Sequence, residues 1–164
     1  MRAMRTLLIL RHGKAAPEAD GSDRDRPLTH EGKRAADVVG KLLLDEDLAP
    51  DRIISSSAVR ARDTARRAAA AAKFRGVIDE VDELYLAEPE AYIAALKRLA
   101  VGAERVLIVG HNPGLEALAL ILTGEPMSLP TAGLVVCTLP LASFGALSLQ
   151  VRGEMTRFVH PKEV

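Results

Sequence analysis

The sequence predicts an α/β fold, and three observations carry that prediction. Short apolar runs alternate with longer amphipathic stretches over most of the chain, the pattern of buried strands joined by helices. Several runs end abruptly on polar or glycine residues just before a helical segment, as at Arg11-His12-Gly13 and Gly110-His111-Asn112-Pro113. After Gly133 the pattern changes to three strand-like runs with no helix between them.

The elements follow in order. Thr6 to Leu10 reads as a buried strand. Gly13 to Pro27 is rich in Asp, Gly and Pro and reads as a loop. Thr29 is a good N-cap for a helix reaching about Asp45, with Ala35, Val38, Val39, Leu42 and Leu43 at helical spacing. Arg52 to Ser55 is a short strand. Ser57 is placed to cap a second, alanine-rich helix that runs to about Lys73. Val77 to Val81 reads as a strand. Glu88 caps a third helix with Pro89 at its first position, turning Tyr92, Ile93, Leu96 and Leu99 inward. Arg105 to Val109 is a buried strand. Asn112 and Pro113 open a helix that Gly124 stops. The final runs, Leu134 to Leu139, Ala146 to Val151 and Glu154 to Val159, read as antiparallel or edge strands.

Composition narrows the function classes. At 164 residues the expectation is one domain spanning 1–164, with no linker or repeat to divide it. Twenty-two basic residues balance twenty-two acidic ones, so the basic footprint of a nucleic-acid binder is missing. No Trp, two Tyr and three Phe leave little for a base-stacking platform. The single cysteine, Cys137, makes an intrachain disulfide and a four-cysteine zinc site impossible. Leu7 to Leu10 is too short for a signal-peptide core, and Leu115 to Leu122 falls short of a membrane span. The expectation is a cytoplasmic protein without membrane contact. Met1 and Met4 both precede the first strand and either serves as a start. Neutral charge leaves the oligomeric state open.

Three predicted strand ends carry candidate chemistry. They are Arg11-His12-Gly13, then Ser55-Ser56-Ser57 with Arg60 on the following helical turn, then Gly110-His111-Asn112-Pro113. In open α/β sheets ligands bind beyond the carboxyl ends of the strands. Helix N-termini there present free N–H groups to an anion. Arg11 and Arg60 supply planar forks suited to phosphate oxygens. His12 and His111 supply a nucleophile and a charge-stabilising partner. Taken singly, each residue has a plain reading: a hydrogen-bonded turn histidine, a solvated arginine, a turn glycine at Gly13. Their joint occurrence at three strand ends favours a shared site. Zinc-type histidine spacing, a phosphate-binding P-loop and a dinucleotide fingerprint are all missing from the sequence.

These residues resemble a known family. Leu10-Arg11-His12-Gly13-Lys14-Ala15, Arg26-Pro27-Leu28-Thr29 with Gly32, and Ser57-Ala58-Val59-Arg60-Ala61 with Thr64-Ala65 are similar to the signatures of the histidine phosphatase superfamily, the phosphoglycerate-mutase-like fold. So are Glu83-Leu84-Tyr85, Val109-Gly110-His111-Asn112-Pro113-Gly114 and Leu129-Pro130-Thr131-Ala132-Gly133. Their order and spacing most resemble the short SixA-type phosphohistidine phosphatases. The resemblance implies a three-layer α/β/α domain with a mixed, mostly parallel central sheet, and neither metal nor cofactor. It implies that His12 is the phosphorylated nucleophile. Arg11, Arg60 and His111 would hold the phosphoryl oxygens, with Arg26 a further contact and Glu83 the nearest match to a leaving-group acid. The expected reaction is hydrolysis of phosphohistidine on a protein partner, releasing phosphate. Alternatives are a small-molecule phosphomonoesterase or pyrophosphate-cleaving hydrolase, and a phosphate-binding module with little turnover.

Overall fold

A computed structural model describes residues 2–17 and 21–164. Met1 and residues 18–20 of the Gly13–Pro27 loop lie outside the described residues. Six strands form one sheet: β1 (Arg5–Arg11), β2 (Arg52–Ser56), β3 (Ile78–Val81), β4 (Arg105–Gly110), β5 (Leu134–Leu139) and β6 (Glu154–Val159). Their spatial order is β3-β2-β4-β1-β5-β6. The β3, β2, β4 and β1 strands run parallel, while β5 and β6 are antiparallel additions beside β1. The sheet is therefore mixed, as the resemblance implied.

Four helices cover its faces: α1 (His30–Asp45), α2 (Val59–Ala71), α3 (Pro89–Leu99) and α4 (Gly114–Thr123). Successive strand residues point to opposite faces, and β1 divides accordingly. Leu8 and Leu10 pack with Val39 and Leu43 of α1 and Ala61 and Ala65 of α2. Leu7 and Ile9 pack with Tyr92 and Leu96 of α3 and Leu115 and Leu118 of α4. All four β1 side chains are fully buried, so removing one to alanine costs about 2–5 kcal/mol.

The helix boundaries follow local chemistry. Thr29 caps α1, its side chain accepting a hydrogen bond from Gly32 N. Pro89 opens α3, where its missing N–H is not needed. Gly124 ends α4 in the left-handed region at φ +75°, where a side chain would be strained.

Two sequence expectations fail. Ser57 does not cap α2. The cap position is Ala58, and Ser57 Oγ instead donates to Asp82 at 2.5 Å and accepts from Arg24. Ala146 to Val151 is not a strand. A short 3-10 turn over Phe144–Ala146 replaces its start, and Val151 N donates to Ser148 O at 3.2 Å in a tight turn. Both edges of β5 are already taken by β1 and β6. The alternating Leu147, Leu149 and Val151 record packing against the α3–α4 core rather than sheet pairing. On α1, Ala35 and Val38 are only half-buried, and Ala36 and Gly40 share the inward face instead.

Candidate active site

The sheet register creates the site. Strands β2, β4 and β1 are adjacent and parallel, so their carboxyl ends form one rim. Arg11 of β1 pairs with Gly110 of β4, and Ser55 of β2 pairs with Val109. Arg11, Gly110 and Ser56 therefore end their strands at one level. His12, His111 and the N-terminus of α2 follow directly. All three candidate motifs meet there.

His12 is held by its backbone and by one ring nitrogen. Its N–H donates to Gly110 O at 3.1 Å, and its carbonyl accepts from Ala132 N at 2.9 Å. Its Nδ1 donates to Gly13 O at 2.7 Å. That bond fixes the tautomer and leaves a lone pair on Nε2, which lies 3.4 Å from Arg60 Nε. Gly13 must be glycine because of what it touches. A Cβ there would stand 2.8 Å from Gly32 O, and one on Gly32 would stand 2.2 Å from Lys14 O. Two bare backbones pass where side chains would not fit. Gly13 N also donates to Thr64 Oγ1 at 2.9 Å, anchoring the turn to α2. Burial pushes the His12 pKa down to about 4, with a smaller push from Arg60, Arg11 and Arg26, while the Gly13 bond opposes. His12 is therefore neutral at neutral pH.

The arginines surround this imidazole with different tethers. Arg60 sits in the first turn of α2 and is 2% exposed. Its two terminal nitrogens donate to Asp23 O at 2.7 Å and Asp23 Oδ2 at 3.1 Å. Arg26 donates from Nε to Asp23 Oδ1 at 3.0 Å and from its guanidinium to Ala16 O at 3.0 Å. Arg11 donates to Leu129 O at 3.0 Å. Its Nε is buried and has no hydrogen-bond partner among the described residues.

His111 lies across from His12, with ring centroids 5.3 Å apart at 56°. Its Nε2 lies 2.8 Å from Ser56 Oγ, and its backbone N–H donates to Tyr92 Oη at 3.0 Å. Tyr85 approaches the His111 ring edge-on at 5.6 Å. Burial pushes the His111 pKa down to about 3, and His12 and Arg60 push the same way. Asn112 Nδ2 donates to Glu116 Oε2 at 3.0 Å and Leu129 O at 2.9 Å. Glu116 Oε2 also accepts from Leu129 N at 2.6 Å. Glu116 thus ties α4 to the loop that receives Arg11.

Glu83 is not joined to this cluster. It is exposed in the short turn Asp82–Leu84, with no hydrogen bond or ion pair among the described residues. The carboxylate held by the arginines is Asp23, which sequence reading missed. Tyr85 donates to it, and that bond first, then Arg60 and Arg26, hold its pKa down at about 2. The sequence alone does not single out Ser56, Tyr85 or Glu116 either. Ser56 and Tyr85 lie within the Ser55-Ser56-Ser57 and Glu83-Leu84-Tyr85 segments. Asp23 lay in an aperiodic loop, where its only sequence mark is the three-residue spacing to Arg26. Among the described residues, no three His, Cys, Asp or Glu side chains gather as a metal site would need.

Two neutral imidazoles ringed by guanidiniums at the carboxyl ends of the parallel strands define a protein that handles phosphoryl groups. The sequence profile of the histidine phosphatase superfamily (branch 1) matches residues 7–85. An uncharacterised protein of Mycobacterium tuberculosis is 34% identical over 113 residues, covering 69% of each chain. A protein of Agrobacterium tumefaciens assigned as the phosphohistidine phosphatase SixA is 32% identical, with TM-score 0.78 over 96% of this chain and 98% of that one. A second protein so assigned, from Nakamurella multipartitia, shows 27% identity and TM-score 0.81 over 97% of each chain. The chain belongs to the histidine phosphatase superfamily, has its phosphoglycerate-mutase-like fold, and is a phosphatase.

Proposed function

We propose that the protein hydrolyses phosphohistidine carried on a protein substrate, without a metal, through a phosphorylated His12. The whole chain acts as one domain in this reading. His12 Nε2 attacks phosphorus, and the bond from phosphorus to the substrate imidazole breaks. The leaving imidazole, whose other ring nitrogen already carries a proton, takes that electron pair and departs neutral. Water attacks the phospho-enzyme in turn. The Nε2–P bond breaks, inorganic phosphate leaves, and His12 returns to its starting state. Arg11, Arg26, Arg60 and His111 bind the phosphoryl oxygens, where charge stabilisation is the main catalytic need.

The observation that carries the substrate class is the state of Asp23. It is the carboxylate beside Arg60, and it is held ionised, with its pKa at about 2. An alkoxide leaving group needs a protonated acid nearby. Asp23 cannot serve as one near neutral pH, and Glu83 has no tie to the cluster. An imidazole leaves far more readily, since its conjugate acid has a pKa of about 6.5. The two SixA-assigned neighbours support the same reading.

The test is a substrate panel ranked by kcat/KM. A phosphohistidine protein should exceed phosphoserine, a sugar phosphate and pyrophosphate by about 100-fold or more, the scale of a missing general acid. Small esters hydrolysed as fast as the phosphohistidine protein would overturn the assignment.

A further inference from the structure

We infer that Ser56 is a positioning residue that sets the tautomer of His111, so that His111 presents an Nδ1–H donor to the phosphoryl group. The inference rests on the proposed phosphoryl-transfer reading and adds to it the atom through which His111 acts.

Three observations carry it. First, Ser56 Oγ accepts a hydrogen bond from Ala58 N at 3.2 Å. It lies 2.8 Å from His111 Nε2, and Ser56 itself is fully buried. The Ala58 bond occupies the hydroxyl as an acceptor and turns its own proton toward the remaining partner. Among the described residues that partner is His111 Nε2. Second, a neutral imidazole carries one N–H and one bare nitrogen. If Nε2 accepts from Ser56, the proton sits on Nδ1. The opposite tautomer would leave the Ser56 proton without an acceptor in the interior, a costly arrangement. Third, His111 Nδ1 is buried and has no hydrogen-bond partner among the described residues. Nε2 is occupied, so a phosphoryl oxygen can be met only through Nδ1. With the proton there the contact is a hydrogen bond; with a lone pair there it is repulsive.

The two histidines thus have complementary states set by different partners. His12 donates from Nδ1 to the Gly13 carbonyl and keeps a bare Nε2 to attack. His111 accepts at Nε2 from a serine and keeps a donor at Nδ1. The chain Ala58 N–H to Ser56 to His111 also starts at the N-terminal end of α2. The helix that delivers Arg60 therefore orients the second histidine as well.

The direct experiment labels histidine ring nitrogens with 15N and reads two-bond proton–nitrogen correlations for His111 in the wild-type protein, free and with inorganic phosphate. The expected pattern is a protonated Nδ1 and an unprotonated Nε2, with the Nδ1 proton moving downfield when phosphate is added. A protonated Nε2 in the phosphate-bound protein would overturn the inference, as would an Nδ1 signal that phosphate does not move. The second arm uses variants. Ser56→Ala should lower kcat about tenfold to thirtyfold, the scale of one lost buried hydrogen bond, with KM nearly unchanged and the His111 signals showing mixed tautomers. Ser56→Thr should restore both. Unchanged kcat and tautomer in folded Ser56→Ala would contradict the proposal. Failure of the phosphatase reading looks different: no phosphate trapped on His12, whatever the His111 signals show.

Discussion

Strands β2, β4 and β1 end in Ser56, Gly110 and Arg11, while β5 reaches the same rim by its beginning, at Leu134. The difference is one of chain direction. Each of β2 and β4 runs on into a helix, so polar side chains and helix N-termini follow the strand end. The loop before β5 offers backbone instead: Leu129 O receives Arg11, and Ala132 N holds the His12 carbonyl. The parallel half of the sheet supplies reactive groups, and the antiparallel half supplies the frame that aims them. Sheet direction alone decides which half is which.

Breaking the parallel half should have the largest effect. Arg60→Ala should cut kcat/KM by about 100- to 1000-fold, as loss of a preorganised cationic donor does. Arg60→Lys should recover little, because lysine lacks the fork that reaches His12 and Asp23 together. Recovery to near wild type in a steady-state assay would show that only the charge matters.

The two buried histidines give that half a pH signature. Folded His12 and His111 have pKa values of about 4 and about 3, below the ordinary value of about 6.5 in the unfolded chain. In that window the unfolded state binds more protons. Stability is therefore full above about 6.5 and declines as pH falls toward the folded values. Near pH 5 the two groups together contribute a slope of roughly 2–3 kcal/mol per pH unit. Urea unfolding between pH 7 and 5 measures it, and His12→Gln should remove about half. A flat profile in the wild type would mean that the histidines are not held neutral.

The loop before β5 should respond more mildly, even when it is loosened from the α4 side. Glu116→Ala removes the acceptor that fixes Leu129 N and Asn112. The expected result is about tenfold lower kcat/KM with His12 chemistry intact, since only the aim of Arg11 is disturbed. A loss as large as that of Arg60→Ala would erase the distinction between the two halves. The smallest effect is expected at Glu83→Gln, less than about threefold in the same assay. A fall of 100-fold would restore Glu83 as the leaving-group acid.

Much of this was legible in the sequence where periodicity and punctuation agree. Strands β1, β2 and β4 announced themselves as apolar runs ending on Arg11-His12, Ser55-Ser56 and Gly110-His111. Their convergence followed from the rule for open α/β sheets. What sequence missed depended on spatial competition. Ala146 to Val151 has strand periodicity, but β5 had no free edge for it. Ser57 looks like a cap, but Arg24 and Asp82 claim its hydroxyl. Asp23 and Ser56 matter through partners 37 and 55 residues away in the chain, and no local pattern records such pairs.

The most direct test of the central assignment is covalent trapping. The protein is mixed briefly with a protein substrate carrying labelled phosphohistidine, quenched in alkali and mapped for label. The account predicts acid-labile label on His12 in the wild type, and none in His12→Ala together with loss of hydrolysis. Label on another residue, or undiminished hydrolysis by His12→Ala, would contradict it.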